Sequence, residues 1–188
     1  MPISVALDRR DDARPFILRA QPTHPSLIDE EHVVAERYHF VNVPSMVWID
    51  ESGRICRPVD SQFGTDTFAK FTHKRSGPYL DMIRAWVRRG EGVIGADEAR
   101  RLTPMPTAEA QLARAERALA WHLHQTGERE AADRHFARAG ELAPGDWTIR
   151  RGSMPLRGLN PFGPGFFALA GEGMPELPME AITPTREG

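Results

Sequence analysis

The chain has 188 residues, of which 40% are apolar and 27% charged, a balance that describes a folded globular protein and argues against a disordered one. A single cysteine, Cys56, excludes an intrachain disulfide, a Cys-x-x-Cys redox pair and a cysteine-based zinc site. The formal net charge of −2 supplies no broad field for nucleic acid or anionic lipid, so neither is expected as a partner.

No window reaches the roughly 18 consecutive apolar residues of a membrane helix, and MPISVALDRR lacks the basic-then-apolar layout of a secretion signal. The chain is therefore expected to be cytoplasmic, with no membrane partner. Among 24 basic residues only Lys70 and Lys74 are lysine, a skew given no functional weight.

In chain order, Ile3, Val5 and Leu7 alternate with Ser4 and Ala6, which predicts a short strand over residues 3–8. Residues 13–20 read as a turn or two of helix starting at Pro15, and QPTHPS as a proline-broken connection. Asp29 reads as the N-cap of a helix reaching His39 or Phe40, with Val34, Tyr38 and Val41 on one stripe. Met46–Ile49 and Ile55–Val59 then predict two strands joined by Asp50-Glu51-Ser52-Gly53, a turn in which Gly53 supplies the left-handed residue.

Beyond residue 60 the pattern becomes helical. Ser76-Gly77-Pro78 starts a helix ending near Gly90, with Leu80, Ile83, Trp86 and Val87 as its apolar face. Residues 91–106 read as a linker with a short helix at ADEARRL. Thr107 caps a long helix to about Gln125, with Leu112, Leu119, Ala120 and Leu123 inward, and a second helix follows Gly127 and stops at Pro144-Gly145. With 13 Gly or Pro among residues 151–188, the segment 147–188 reads as an extended tail, its last fifteen or so residues disordered. Trp147, Phe162, Phe166 and Phe167 in that tail predict an extended strap over an apolar groove.

The order strand, helix, Val-Pro, strand, turn, strand, helix resembles the second half of a thioredoxin-type domain, in particular the TlpA/ResA-like branch of redoxins. The likeness covers about residues 3–90 and rests on ISVALD, on LIDEEHVVAERYHFVNVPSMVWIDESGRI and on Pro44. It implies a cis bond before Pro44, which costs only about 0.5–1 kcal/mol at an X-Pro bond. It also implies that Val43 and Pro44 contact an extended peptide substrate; the plainer alternative is a helix-to-strand connection. The redox chemistry of such proteins needs a Cys-x-x-Cys that is absent here, together with its strand and helix. That strand would lie between the strand of residues 3–8 and that of residues 46–50. The expectation is therefore either a chain truncated at its start or a remnant whose gap is filled by another segment or by a partner, an oligomer forming if the strand comes in trans.

Residues 113–146 span 34 positions and are similar to one tetratricopeptide unit. Leu119, Ala120 and Leu123 fall on its first helix, Gly127 in the turn, Ala132, Phe136 and Ala139 on the second helix, and Pro144 at its end. Glu116 replaces the early aromatic, and no second copy exists in either direction. A single unit must pack on something else, most simply helix 79–89 or the thioredoxin-like layer. A generic helical hairpin fits as well.

Cys56, between Ile55 and Arg57, reads as a small hydrophobe, with a reactive thiol as the lesser alternative. His122 and His124 point to different faces of a helix, which argues against shared metal ligation. No metal, cofactor or catalytic residue is assigned.

The expected fold is α/β, an incomplete thioredoxin-like sheet layer over 1–90 followed by a linker, a single TPR-like helical part over 107–146 and the tail. The expected function is a redox-inactive redoxin-like accessory or interaction module with a protein or peptide partner. The alternative is a thiol-disulfide oxidoreductase whose catalytic strand and helix are missing from this chain.

Overall fold

The computed structural model describes residues 1–61, 64–67, 69–171, 177 and 179. The fold is mixed α/β, mostly helical, with two small sheets among the described residues. No helix there is long and apolar enough to cross a membrane. The chain divides into two compact units, one of residues 1–41 and 106–175 and the other of residues 42–105 and 176–188. One division falls beside the start read for the helical hairpin. Another separates residues 41 and 42, inside the stretch read as one layer.

In the first unit, β1 (Ser4–Ala6) pairs in parallel with β2 (Ser26–Ile28), Val5 opposite Leu27. The β2 strand lies where a proline-broken connection and a pre-helix loop were expected; three residues are too few to show a period. Between them, α1 (Arg10–Ala20) starts five residues before Pro15, which sits inside the helix. Asp11 and Asp12 in its first turn favour the earlier start, since carboxylates there complement the helix dipole.

The next helix, α2 (Val33–Arg37), is shorter than the span 29–39. Asp29 is not its N-cap; that position is His32, held at φ 61°. Asp29 serves the same end from outside, its carboxylate accepting from the Val33 and Val34 amides at 2.8 Å and from Ala35 at 3.3 Å. Three of the helix's orphan N–H groups are thereby satisfied.

The rest of this unit is α6 (Ala108–Gln125), α7 (Arg129–Leu142), α8 (Trp147–Arg150), a 3-10 turn (Pro155–Arg157) and α9 (Pro164–Gly171). Thr107 caps α6 by accepting from the Ala110 amide at 3.2 Å, and Gly127 turns the chain at φ 89°, both at the positions read from sequence. Ala113, Ala139 and Ile149 form one apolar cluster. Ala120, Ala132 and Phe136 form another, with Leu123 and Leu156 packed on it. The face left open by the hairpin is thus covered by α8 and the 3-10 turn.

The segment from Trp147 to Gly171 is folded into short helices, which corrects the extended strap. Trp147, Ile149 and Leu169 are buried, whereas Phe162 and Phe167 stay exposed. Arg151 lies 4.6 and 4.7 Å from the Phe162 and Phe166 ring centres. The disordered end read over the last fifteen residues lies outside the described residues, apart from Leu177 and Met179.

In the second unit, β3 (Met46–Ile49) and β4 (Ile55–Asp60) form an antiparallel hairpin. The Asp50 carboxylate gathers the turn, accepting from the Ser52 and Arg54 amides at 2.9 Å, and Gly53 takes φ 78°. Pro58 lies where the register shifts between Met46–Asp60 and Trp48–Arg57, consistent with its missing N–H.

After β4 come α3 (Ala69–Thr72), α4 (Ser76–Arg89) and α5 (Ala96–Leu102). Val87 is exposed, not inward, and Tyr79 is fully buried in its place. The segment read as a linker with a short helix over 91–106 carries α5 and packs on β4. The Ile94 amide donates to the Cys56 carbonyl at 3.0 Å, Arg57 Nη1 donates to the Gly92 carbonyl at 2.9 Å, and Ala99 is buried.

Among the described residues the strands pair as two two-stranded sheets, β1 with β2 and β3 with β4. The central strand implied between β1 and β3 is absent from both sheets among the described residues.

Candidate functional site

The Val43–Pro44 bond is cis and lies in the loop that feeds β3. Both sides of this loop are pinned. Asn42 is buried, its Nδ2 donating to Ser61 Oγ at 3.5 Å, and Ser45 Oγ donates to the Asn42 carbonyl at 2.7 Å. Between these anchors the Val43 side chain is 50% exposed, and its N–H and C=O have no protein partner among the described residues. The loop thus presents one apolar side chain with a free backbone donor and acceptor, the set an added extended segment can pair with.

Beneath the loop lies a polar layer that sequence reasoning missed. Asp60, Ser61 and Lys74 are all buried, and Lys74 Nζ donates to the Ser61 carbonyl at 3.4 Å. Arg57, also buried, lies 3.8 Å from the Asp60 carboxylate. Lysine is rarely buried without partners. The one sequence signal for it is that Lys74 is one of two lysines in an arginine-rich chain.

Trp48 sits at the centre of this unit. Its indole Nε1 donates to the Tyr79 hydroxyl at 2.7 Å, its ring stacks on Trp86 at 4.8 Å, and the Arg57 guanidinium lies 5.2 Å from its ring centre. Burial pushes the Tyr79 hydroxyl well up from its ordinary range, so it stays protonated. Cys56 is half-buried and its Sγ donates to the Trp48 carbonyl at 3.5 Å. Burial, then the Asp50 charge, raises the thiol above its ordinary value, which disfavours the thiolate needed for reactivity.

In the first unit Ala120, Ala132, Phe136 and Ala139 lie at the hairpin interface as read, with Leu123 half-buried beside them. Leu119 and Leu112 do not. Both are exposed, and the inward face of α6 is Ala113, Arg117, Ala120 and Trp121. Pro144 is exposed just beyond α7. Glu116 pairs with His135 Nδ1 at 2.5 Å, and His124 stacks on Trp121 at 5.9 Å. No cluster of three ligating side chains exists among the described residues.

Arg117 is the least expected inward residue. It is 5% exposed and donates through Nη1 to the Glu31 carbonyl at 2.8 Å and through Nη2 to the Glu30 carbonyl at 3.0 Å. Burial pulls its pKa down to about 10. Arg114 pairs with the buried Asp146 at 3.0 Å and donates to the Phe40 carbonyl at 3.1 Å. His32, beside these arginines, is held neutral, its pKa lowered to about 3 by burial and then by the charges of Arg117 and Arg114.

No family model matches the chain, and no curated protein or solved structure matches it.

Proposed function

We propose that this chain is a thioredoxin-like accessory or protein-interaction module of the redoxin type, cytoplasmic and without a redox centre, with Val43 and Pro44 as its contact for an extended peptide. The observation that carries this reading is the pinned loop: Val43 side chain exposed, backbone donor and acceptor unpartnered among the described residues, flanks tied at Asn42 and Ser45. The succession of α2, the cis bond before Pro44 and the β3–β4 hairpin supports this reading. The raised thiol pKa of Cys56 favours a passive role for the lone cysteine. The TPR-like hairpin, packed on α8 and the 3-10 turn, serves as structural support in this reading.

The test uses reduced, carboxymethylated insulin B chain as an extended-peptide probe on the isotope-labelled full chain. Saturable amide shifts centred on Val43 and Ser45 are expected, with loss on Val43→Asp. Shifts elsewhere only, or none at millimolar probe, would reject the contact. An insulin-reduction assay with dithiothreitol asks whether the lone Cys56 supplies redox activity: no acceleration over the reductant alone is expected, and turnover would reject the reading without a redox centre.

A further inference from the structure

In the first unit, the loop after β1, the turn before α2, the middle of α6 and the 3-10 turn surround a cavity of about 20 Å³. One water-sized sphere needs roughly 10–15 Å³, so the cavity has room for a single water and for no larger ligand. His32 is the group in its lining that the contacts of this unit leave unexplained. The residue is 6% exposed, and its ring makes no hydrogen bond to any described residue. Buried polar groups are ordinarily paired, so an unpartnered ring at a cavity wall calls for a hydrogen-bonding occupant.

The rest of the lining decides the class of that occupant. Arg9 and Arg117 share it with Asp8 and Glu30, so an ion of either sign meets like charges at close range. A neutral molecule meets none. Each carboxylate uses one oxygen to accept a main-chain N–H, Asp8 from Arg9 at 2.8 Å and Glu30 from Arg10, and keeps its second oxygen as an acceptor. A molecule that both donates and accepts is suited to such a set.

We infer that this cavity is a hydration site that holds one ordered water, hydrogen-bonded to a ring nitrogen of His32 and to a carboxylate of the lining. Burial, and then the charges of Arg117 and Arg114, keep the imidazole neutral at physiological pH, which leaves one ring nitrogen to donate and the other to accept. With its pKa lowered to about 3, His32 is too weak a base to draw a proton from the water near pH 7. The water therefore completes the hydrogen bonding of a buried ring and is not a hydrolytic nucleophile. This site is distinct from the Val43 loop and does not depend on it.

The experiment is a crystal structure of the full chain at neutral pH, with a second crystal soaked in sodium bromide to separate water from a small anion. A single solvent peak within roughly 2.7–3.2 Å of a His32 ring nitrogen is expected, with no anomalous bromide signal at that position. A cavity without density, a His32 ring bonded to protein groups alone, or bromide in the cavity would each overturn the proposal. In solution, the isotope-labelled chain should show a cross-peak between the His32 ring and bound water, lost in His32→Phe. Absence of that cross-peak from the unaltered chain would also overturn it. Both measurements on the unaltered chain decide the matter even if the variant does not fold.

Discussion

The guanidinium of Arg117 donates to the main-chain carbonyl of Glu31 at 2.8 Å, and so ties the middle of α6 to the turn that precedes α2. The same side chain reaches Glu30, so one buried cation satisfies two carbonyls. Removing it leaves both acceptors and a cavity behind. Arg117→Ala should therefore destabilise the first unit by about 2–4 kcal/mol in urea unfolding. Arg117→Lys should recover little of this, because an ammonium lacks the planar fork. A change under about 0.5 kcal/mol, the level of an ordinary surface substitution, would show that the bonds carry no net stability.

His32 sets an acid limit. Its pKa is lowered to about 3 in the folded chain from 6.5, so between those values the unfolded chain binds the proton and the folded chain does not. The stability associated with neutral His32 is complete above pH 6.5 and is lost as pH falls toward 3, at up to about 1.4 kcal/mol per pH unit. Asp146 opposes this at the acid end, since burial raises its pKa. His39 and His124 are shifted the same way as His32 but are more exposed. Unfolding measured from pH 7.5 to 5 should thus flatten in His32→Gln and not in His124→Gln.

Tyr79 and Trp48 form the matching relationship in the second unit. Tyr79→Phe removes the acceptor from a buried indole N–H, which should cost about 1–3 kcal/mol. The stacked Trp48 and Trp86 report the loss through tryptophan fluorescence during denaturant unfolding. A melt coincident with the unsubstituted chain would contradict the assignment.

Gly152 is required by close approach. A Cβ there would stand 2.1 Å from the Thr148 carbonyl oxygen, a backbone atom that cannot swing aside. Gly152→Ala should lower stability by about 2 kcal/mol or more, in the range of overpacked sites. Differential scanning calorimetry would show it as a drop in Tm. An unchanged Tm would mean that the turn relaxes freely.

Cys56 should behave as an inert thiol. Alkylation by iodoacetamide at pH 7.5 is expected to be slower in the folded chain than in urea, because the thiolate fraction falls as the pKa rises. Faster alkylation in the folded chain would point to an activated cysteine.

The parts of the fold legible in sequence were those governed by local chemistry. Asp50 and Gly53 mark the hairpin turn, Thr107 and Gly127 bound the α6–α7 pair, and Gly90 ends α4, each by a cap or a left-handed turn acting within a few residues. The strand β2 stayed hidden because Ser26–Ile28 is too short for a pattern and follows a proline. The loop of the candidate site was legible at Val43 and Pro44. The polar layer under it was not, since Asn42, Asp60, Ser61 and Lys74 are ordinary surface residue types that become buried only through one another.

The α6 helix shows where sequence ends and tertiary structure begins. Its start, its length and its partnership with α7 follow from Thr107, the alanine-rich run and Gly127, and the single cysteine by itself excludes an intrachain disulfide. Which face turns inward does not follow. Leu112 and Leu119 looked like the buried stripe, yet Ala113, Arg117, Ala120 and Trp121 occupy it. That choice rests on partners far along the chain: the Glu31 carbonyl 86 positions from Arg117 and the Asp146 carboxylate 32 positions from Arg114. A charged side chain is stable inside only where such partners meet it, and local propensity holds no information about residues so distant.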